Sequence, residues 1–245
     1  MKVIKTWNMP GKLNMALDVI LAEICKEPIL RFYTWAKPTL SLGKHQKRIN
    51  LDTEFMREKN IDCVVRPTGG RAVLHWDELT YALVLPIDHP IARSSILESY
   101  LKISGCIAKA LYELGFKVHI EPVKRLKENS AACFATPSSY EITIDGKKIV
   151  GSAQRRNEKS ILQHGSIVLR QHTEEYAKCL KVNQQDLENK LAGLLEYREI
   201  SIEELTETLQ KQFEITFGKA ETFTPDQKTI ELALKREEEF AWLES

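Results

Sequence analysis

The sequence predicts an α/β (α+β) fold, with strands in the body and helices flanking them. Three observations carry that prediction. Strand-like apolar runs alternate with amphipathic helices as far as Ile120, residues 140–169 read as a three-strand meander, and the chain from Thr173 onward is helical and highly charged. The 245 residues are expected to form one domain, 1–245, with 173–245 as a peripheral helical segment.

Composition narrows the function classes. Hydrophobic residues make up 43% and charged residues 28%, as in ordinary soluble proteins. A formal net charge of +1 offers no broad electrostatic grip on nucleic acid or on an anionic membrane. Met1 to Trp7 is too short for a secretory signal, and no apolar run reaches the length of a membrane span, so a cytoplasmic location is expected. The five cysteines, Cys25, Cys63, Cys106, Cys133 and Cys179, are scattered and form no C-x-x-C pair. Neither a disulfide framework nor a metal site is expected from them.

Taken in order, residues 1–7 read as a strand, and Pro10-Gly11 opens a helix. Leu13, Ala16, Leu17, Ile20, Leu21 and Ile24 form its apolar stripe, which leaves Asn14, Asp18 and Glu23 outside. Leu30 to Ala36 is β-like, a second short strand follows Pro38, and Asp52 to Lys59 reads as a short helix with Leu51 and Phe55 inward. Cys63 to Arg66 is a strand that runs into Thr68-Gly69-Gly70-Arg71, and another strand begins near Leu79. Two adjacent glycines suit either a plain hairpin or a close approach of backbone to a ligand. Arg66, Arg71 and His75 around them favour the ligand, because they supply donors for a phosphate or carboxylate. Ser94-Ser95 caps a helix that ends at Gly115, and Lys117 to Ile120 is a strand. Beyond the meander, helices are expected over Thr173 to Leu180, Gln184 to Leu195, Ser201 to Phe217 and Thr224 to Leu243, with a capping-box spacing at Ser201 and Glu204.

Residues 130–166 hold the reactive-looking part. Cys133 lies among Ser130, Ala131, Ala132 and Ala135, small neighbours that leave a thiol reachable. Asp145-Gly146 is a two-residue turn signal that pairs Thr143 with Lys148, so Lys147 and Lys148 point to opposite faces and alternation places Lys148 with Val150 and Ser152. A free thiol of pKa roughly 8.5 needs a nearby cation to become a nucleophile. Lys148 is that candidate. The same residues also suit a buried small hydrophobe and a solvated turn, and spacing alone leaves both readings open. Gly151-Ser152 and Gly165-Ser166 again bring backbone close to a neighbour, while His164 alone suits a structural hydrogen bond. Gly146 to Ser152 has P-loop glycines but Ser152 where the motif requires Lys, and no G-x-G-x-x-G follows a strand, so no nucleotide cofactor is expected.

Together the motifs resemble the lipoate-protein ligase and octanoyltransferase family. The resemblance is carried by Asn14 to Leu17, Arg66 to His75, Asp77 to Tyr81, Cys133 with Pro137-Ser138 and Tyr140-Glu141, Lys148 to Gln154, and Gln163 to Gly165. It implies a catalytic domain like that of biotin- and lipoate-protein ligases, with mixed sheets lining an acyl tunnel. It further implies Cys133 as nucleophile, Lys148 as the group that lowers its pKa, and substrate contacts at Arg66, Thr68, Gly69, Gly70, Arg71, Ala72, His75, Gly151, Ser152, Ala153, Gln154, His164 and Gly165. Within the family, Cys133 is similar to the nucleophile of octanoyltransferases that act on the glycine cleavage H protein, whereas ligases have the lysine without this cysteine. The implied reaction carries octanoate from acyl carrier protein through a Cys133 thioester to a lysine of a lipoyl-domain protein in lipoate biosynthesis, without ATP or another cofactor. ATP-dependent lipoate ligation and octanoyl transfer between lipoyl domains are the alternatives.

Overall fold

The computed structural model describes residues 1–46, 49–122 and 140–243. Strand β1 (Lys2–Met9) enters helix α1 (Gly11–Ile24) through Pro10, and β2 (Ile29–Trp35) and β3 (Thr39–Leu42) follow. After α2 (Thr53–Glu58) come β4 (Asp62–Val65), β5 (Val73–His75) and β6 (Glu78–Pro86). The short α3 (Pro90–Arg93) precedes α4 (Ile96–Glu113), whose Ser95 cap and Glu98 form a complete capping box. Strand β7 (His119–Pro122) and the meander β8 (Tyr140–Ile144), β9 (Lys147–Arg156) and β10 (Ser160–Val168) complete the body. The C-terminal part holds α5 (Thr173–Leu180), α6 (Gln184–Glu188), α7 (Ile202–Phe217), the two-residue β11 (Glu221–Thr222) and α8 (Gln227–Arg236).

The strands form an eight-stranded mixed sheet, ordered β11-β1-β2-β6-β10-β9-β8-β7, and a three-stranded one, ordered β4-β3-β5. One face of the large sheet packs Leu30, Phe32, Tyr81 and Leu83 against α4 and α7; the other packs Tyr33, Ala82, Val84 and Leu162 against α1 and α8. This α/β architecture is the one expected. No described helix is long and apolar enough to cross a membrane.

Four local expectations are revised. On α1, Asn14 and Asp18 are fully buried while Ile24 is 47% exposed, because the polar pair faces the buried guanidinium of Arg31 on β2. The Gly69-Gly70 turn is no hairpin, since β3 lies between β4 and β5. The helices after Thr173 are not uniformly peripheral: Leu205, Leu209 and Phe213 of α7 are fully buried in the main core, at about 1.5–3 kcal/mol each. Helix α6 stops at Glu188 because the chain beyond it bonds to β9. There the N–H of Lys148 donates to Lys190 O at 2.8 Å, and the N–H of Ala192 donates to Lys148 O at 3.0 Å.

Candidate functional site

Alternation along β9 and β10 divides the expected site residues between the two faces of the large sheet. On the α1 side lie Gly151 opposite Ser166 and Ala153 opposite His164; on the α4 side lie Ser152, Gln154 and Gly165.

Deep on the α1 side is a buried polar cluster. Arg31 donates to Asp18 Oδ1 at 2.7 Å and to Thr6 Oγ1 at 3.0 Å, and Tyr33 donates to Asp18 Oδ2 at 3.0 Å. Burial alone would raise the Asp18 pKa, but Arg31 and the hydrogen bonds around the carboxylate hold it below the ordinary value. His164 lies 3.0 Å from the same Oδ2 through Nδ1 and 2.7 Å from Thr68 Oγ1 through Nε2. Burial lowers the His164 pKa against the pull of Asp18, so at neutral pH the ring is neutral. Its Nδ1–H then donates to Asp18, and its Nε2 accepts from Thr68.

A second relay reaches the same loop from β6. Glu78 accepts from Trp35 Nε1 at 3.2 Å and lies 2.7 Å from His75 Nδ1; His75 Nε2 is 2.7 Å from Ser41 Oγ. Arg66 bonds Ser41 Oγ at 3.2 Å and reaches the carbonyls of Gly69 and Arg71, both at 2.7 Å. Burial lowers the Arg66 pKa to about 10, which leaves it charged. Its donors are engaged within the loop instead of being offered to a ligand as expected. Gly70 has φ +96°, and a Cβ there would lie 2.7 Å from Arg66 Nη2, so the turn needs glycine. Ala72 is buried and its carbonyl accepts from Tyr176, whereas Arg71 is exposed. Arg66 thus holds the carbonyls of Gly69 and Arg71, Tyr176 that of Ala72, and His164 the Thr68 side chain.

Lys148 stands on this side too, contrary to simple alternation. Thr143 pairs with Lys148 as expected, but Ile142 pairs with Val150, so Ile149 is an extra residue in β9. That β-bulge buries both Ile149 and Val150 in one core and turns Lys148 away from Ser152 towards Gly151. A Cβ on Gly151 would sit 2.6 Å from Lys148 Cε and 2.9 Å from Nζ. The ammonium donates to Glu141 Oε1 at 2.6 Å, each side chain being 29% exposed.

Cys133 lies outside the described residues, as do Ser130, Ala131, Ala132, Ala135, Pro137 and Ser138. Pro122 and Tyr140, which flank residues 123–139, are register partners, and Tyr140 precedes Glu141 directly. The Lys148 ammonium is thus held at the root of the segment that carries Cys133. The other four cysteines have weakly acidic thiols: burial pushes Cys25 and Cys179 up to about 11 and Cys63 to about 12, and raises Cys106 as well.

The α4 side carries a hydrogen-bonded network. Tyr81 donates to Ser152 Oγ at 2.8 Å and accepts from Gln163 at 3.0 Å, and Gln154 donates to Gln163 Oε1 at 3.0 Å. Burial pushes the Tyr81 pKa up to about 12, so the phenol stays neutral. Gly165 is small because Tyr81 crosses it: a Cβ would lie 2.7 Å from the ring and 2.5 Å from Ser152 Oγ. Ser152 and Gln154 therefore belong to a packing network that turns their side chains away from Lys148, and Gly165 leaves space for Tyr81 within it.

Asn14, Asp18, Arg31, Ser41, Glu78 and Glu141 join the candidate site although the sequence assigns them no role in it. A legible signal existed for Arg31, a charge inside the otherwise apolar strand LRFYTW, and for Asn14 and Asp18, spaced one helical turn apart. Among the described residues, no group of three potential metal ligands is assembled.

Comparison with known proteins bears on the family and the fold. Residues 10–216 match the lipoyl protein ligase A/B catalytic domain. The chain is 39% identical over 230 residues to octanoyltransferase LipM of Carboxydothermus hydrogenoformans, covering 86% of each chain. It is 41% identical over 197 residues to octanoyltransferase LipM of Clostridioides difficile, covering 77% of this chain and 73% of the relative. A bi-partite lipoate protein ligase from Thermoplasma acidophilum superimposes with a TM-score of 0.80 at 20% identity, covering 97% of this chain and 91% of that one.

Proposed function

This chain belongs to the lipoyl protein ligase A/B catalytic-domain family, and on that premise we propose that it is an octanoyltransferase of lipoate biosynthesis working through a Cys133 thioester. The donor is octanoyl acyl carrier protein, and the acceptor is a lysine of a lipoyl-domain protein, the glycine cleavage H protein first among them. The observation that carries the reading is the Lys148 ammonium, fixed over Gly151 at the root of the segment bearing Cys133.

In the first step the Cys133 thiolate attacks the donor thioester carbonyl, the carrier thiolate leaves, and an octanoyl-enzyme forms. Lys148 favours the attacking thiolate by its charge. In the second step the acceptor amine attacks the enzyme thioester, the C–N bond forms as the C–S bond breaks, and the electron pair returns to sulfur. Thioester-to-thioester exchange is nearly balanced and thioester-to-amide transfer is downhill, so ATP is not needed. The loop from Thr68 to Ala72, rigidly held by its relays, and the Gly151 to Ala153 backbone offer preorganised surfaces for the reacting carbonyl. The apolar chain contributes about 0.8 kcal/mol of binding per buried methylene. In this reading the enzyme works in the cytoplasm beside its carrier protein.

The test is an assay with octanoyl acyl carrier protein and H protein, with ATP omitted, reading octanoylation of the acceptor by mass. Transfer by the wild type and its loss in Cys133→Ala are expected. Transfer that demands ATP and free acid, or that survives Cys133→Ala, contradicts the reading in favour of a ligase.

A further inference from the structure

Lys148 meets two demands of opposite sign. Its positive charge helps a thiolate form, but in the second step the same charge repels the protonated lysine that an acceptor brings in. Glu141 lies where that conflict is resolved. Its carboxylate is 2.6 Å from Lys148 Nζ, both side chains are partly open to solvent, and the bulge at Ile149 with the missing side chain at Gly151 allows the lysine to reach it. Directly opposite Glu141 in the sheet is a second carboxylate, the exposed Glu121 on β7. Like charges facing each other across strands are unfavourable, and among the described residues Glu121 forms no ion pair. Among the described residues the two carboxylates thus share one cation, Lys148.

Resting on the acyl-transfer reading above, we propose that Glu141 supplies counter-charge to the ammonium of the incoming acceptor lysine, while the bulge at Ile149 and the bare Gly151 keep Lys148 in place. Glu141 therefore favours the second half-reaction and mildly opposes the first, because a carboxylate beside Lys148 weakens its help to the thiolate. The bound ammonium loses one proton to solvent to give the free amine. As the amine displaces sulfur from the acyl carbon, its second proton passes to the departing sulfur or to solvent, and Glu141 is unchanged at the end.

A single-turnover experiment separates the two half-reactions. Octanoyl-enzyme is first formed from octanoyl acyl carrier protein with wild type, Glu141→Gln and Glu141→Asp. Its discharge is then followed with H protein and, separately, with hydroxylamine, which is a neutral nucleophile at neutral pH. Glu141→Gln is expected to charge at least as fast as wild type, to discharge to H protein roughly tenfold more slowly, and to discharge to hydroxylamine at the wild-type rate. Glu141→Asp recovers part of the lost rate. Equal slowing of charging and of both discharges means that Glu141 only supports the local structure and overturns the proposal; unchanged rates throughout overturn it as well. If the wild type forms no hydroxylamine-sensitive adduct at all, the acyl-transfer reading fails first, and the role assigned to Glu141 falls with it.

Discussion

The two faces of β9 use neighbouring residues for opposite purposes. Gly151 and Ala153 face the α1 side, which also carries Lys148, His164 and Thr68; Ser152 and Gln154 face α4 and are tied into the buried Tyr81 and Gln163 network. All four come from one compact motif, Lys148 to Gln154. The lesson is that a motif's residues need not share a role. Side-chain alternation assigns every second one to packing, and the single bulge at Ile149 decides to which set Lys148 belongs.

The contrast can be broken most forcefully at Lys148. Lys148→Met is expected to lower ATP-free octanoyl transfer by about 10²- to 10⁴-fold with the fold intact, as judged by thermal unfolding beside a transfer assay. Gly151→Ala comes next, since its methyl group enters the space of the Lys148 stem. Displacing the ammonium should reduce transfer by about 10- to 100-fold while the melting temperature moves little. Ser152→Ala, one residue along, is expected to do the reverse. Losing the Tyr81 hydrogen bond should cost about 0.5–1.5 kcal/mol in denaturant unfolding, with transfer nearly unchanged. If Ser152→Ala abolished transfer while sparing stability, the division between faces would be wrong.

The smallest effect concerns pH. His164 and Asp18 both have folded-state pKa values below their ordinary 6.5 and 3.8. The unfolded chain therefore takes up protons first as pH falls, and the stabilisation present above those values is lost on acidification. Unfolding temperature should decline as pH drops below about 6.5, His164 contributing first, and the early part of that slope should flatten in His164→Gln.

Much of the architecture was legible because it rests on local signals. The Asp145-Gly146 turn set the Thr143 and Lys148 pairing, and Ser95 and Gly115 marked the ends of α4. The site was legible as a set of motifs and not as a geometry. Asp18 seemed to lie outside the apolar stripe because the guanidinium that makes its burial favourable, Arg31, arrives from a different element. Arg66 looked like a ligand donor because the carbonyls that occupy it belong to a turn whose shape cannot be read from residue types. The bulge at Ile149 left no mark of its own, since Ile149 and Val150 both read as ordinary strand residues. Glu141 belongs to the Tyr140-Glu141 motif, yet its partner follows only from the fold, which turns the lysine back over Gly151.

The most direct test of the account is an intact-mass measurement of the enzyme after brief incubation with octanoyl acyl carrier protein and no ATP, with Cys133→Ala and Lys148→Met alongside. The predicted result is one hydroxylamine-sensitive octanoyl increment on the wild type, none on Cys133→Ala, and a strongly delayed one on Lys148→Met. An increment that persists in Cys133→Ala, or a wild type that stays unmodified while a lipoyl domain is labelled only with ATP and free acid, would contradict it.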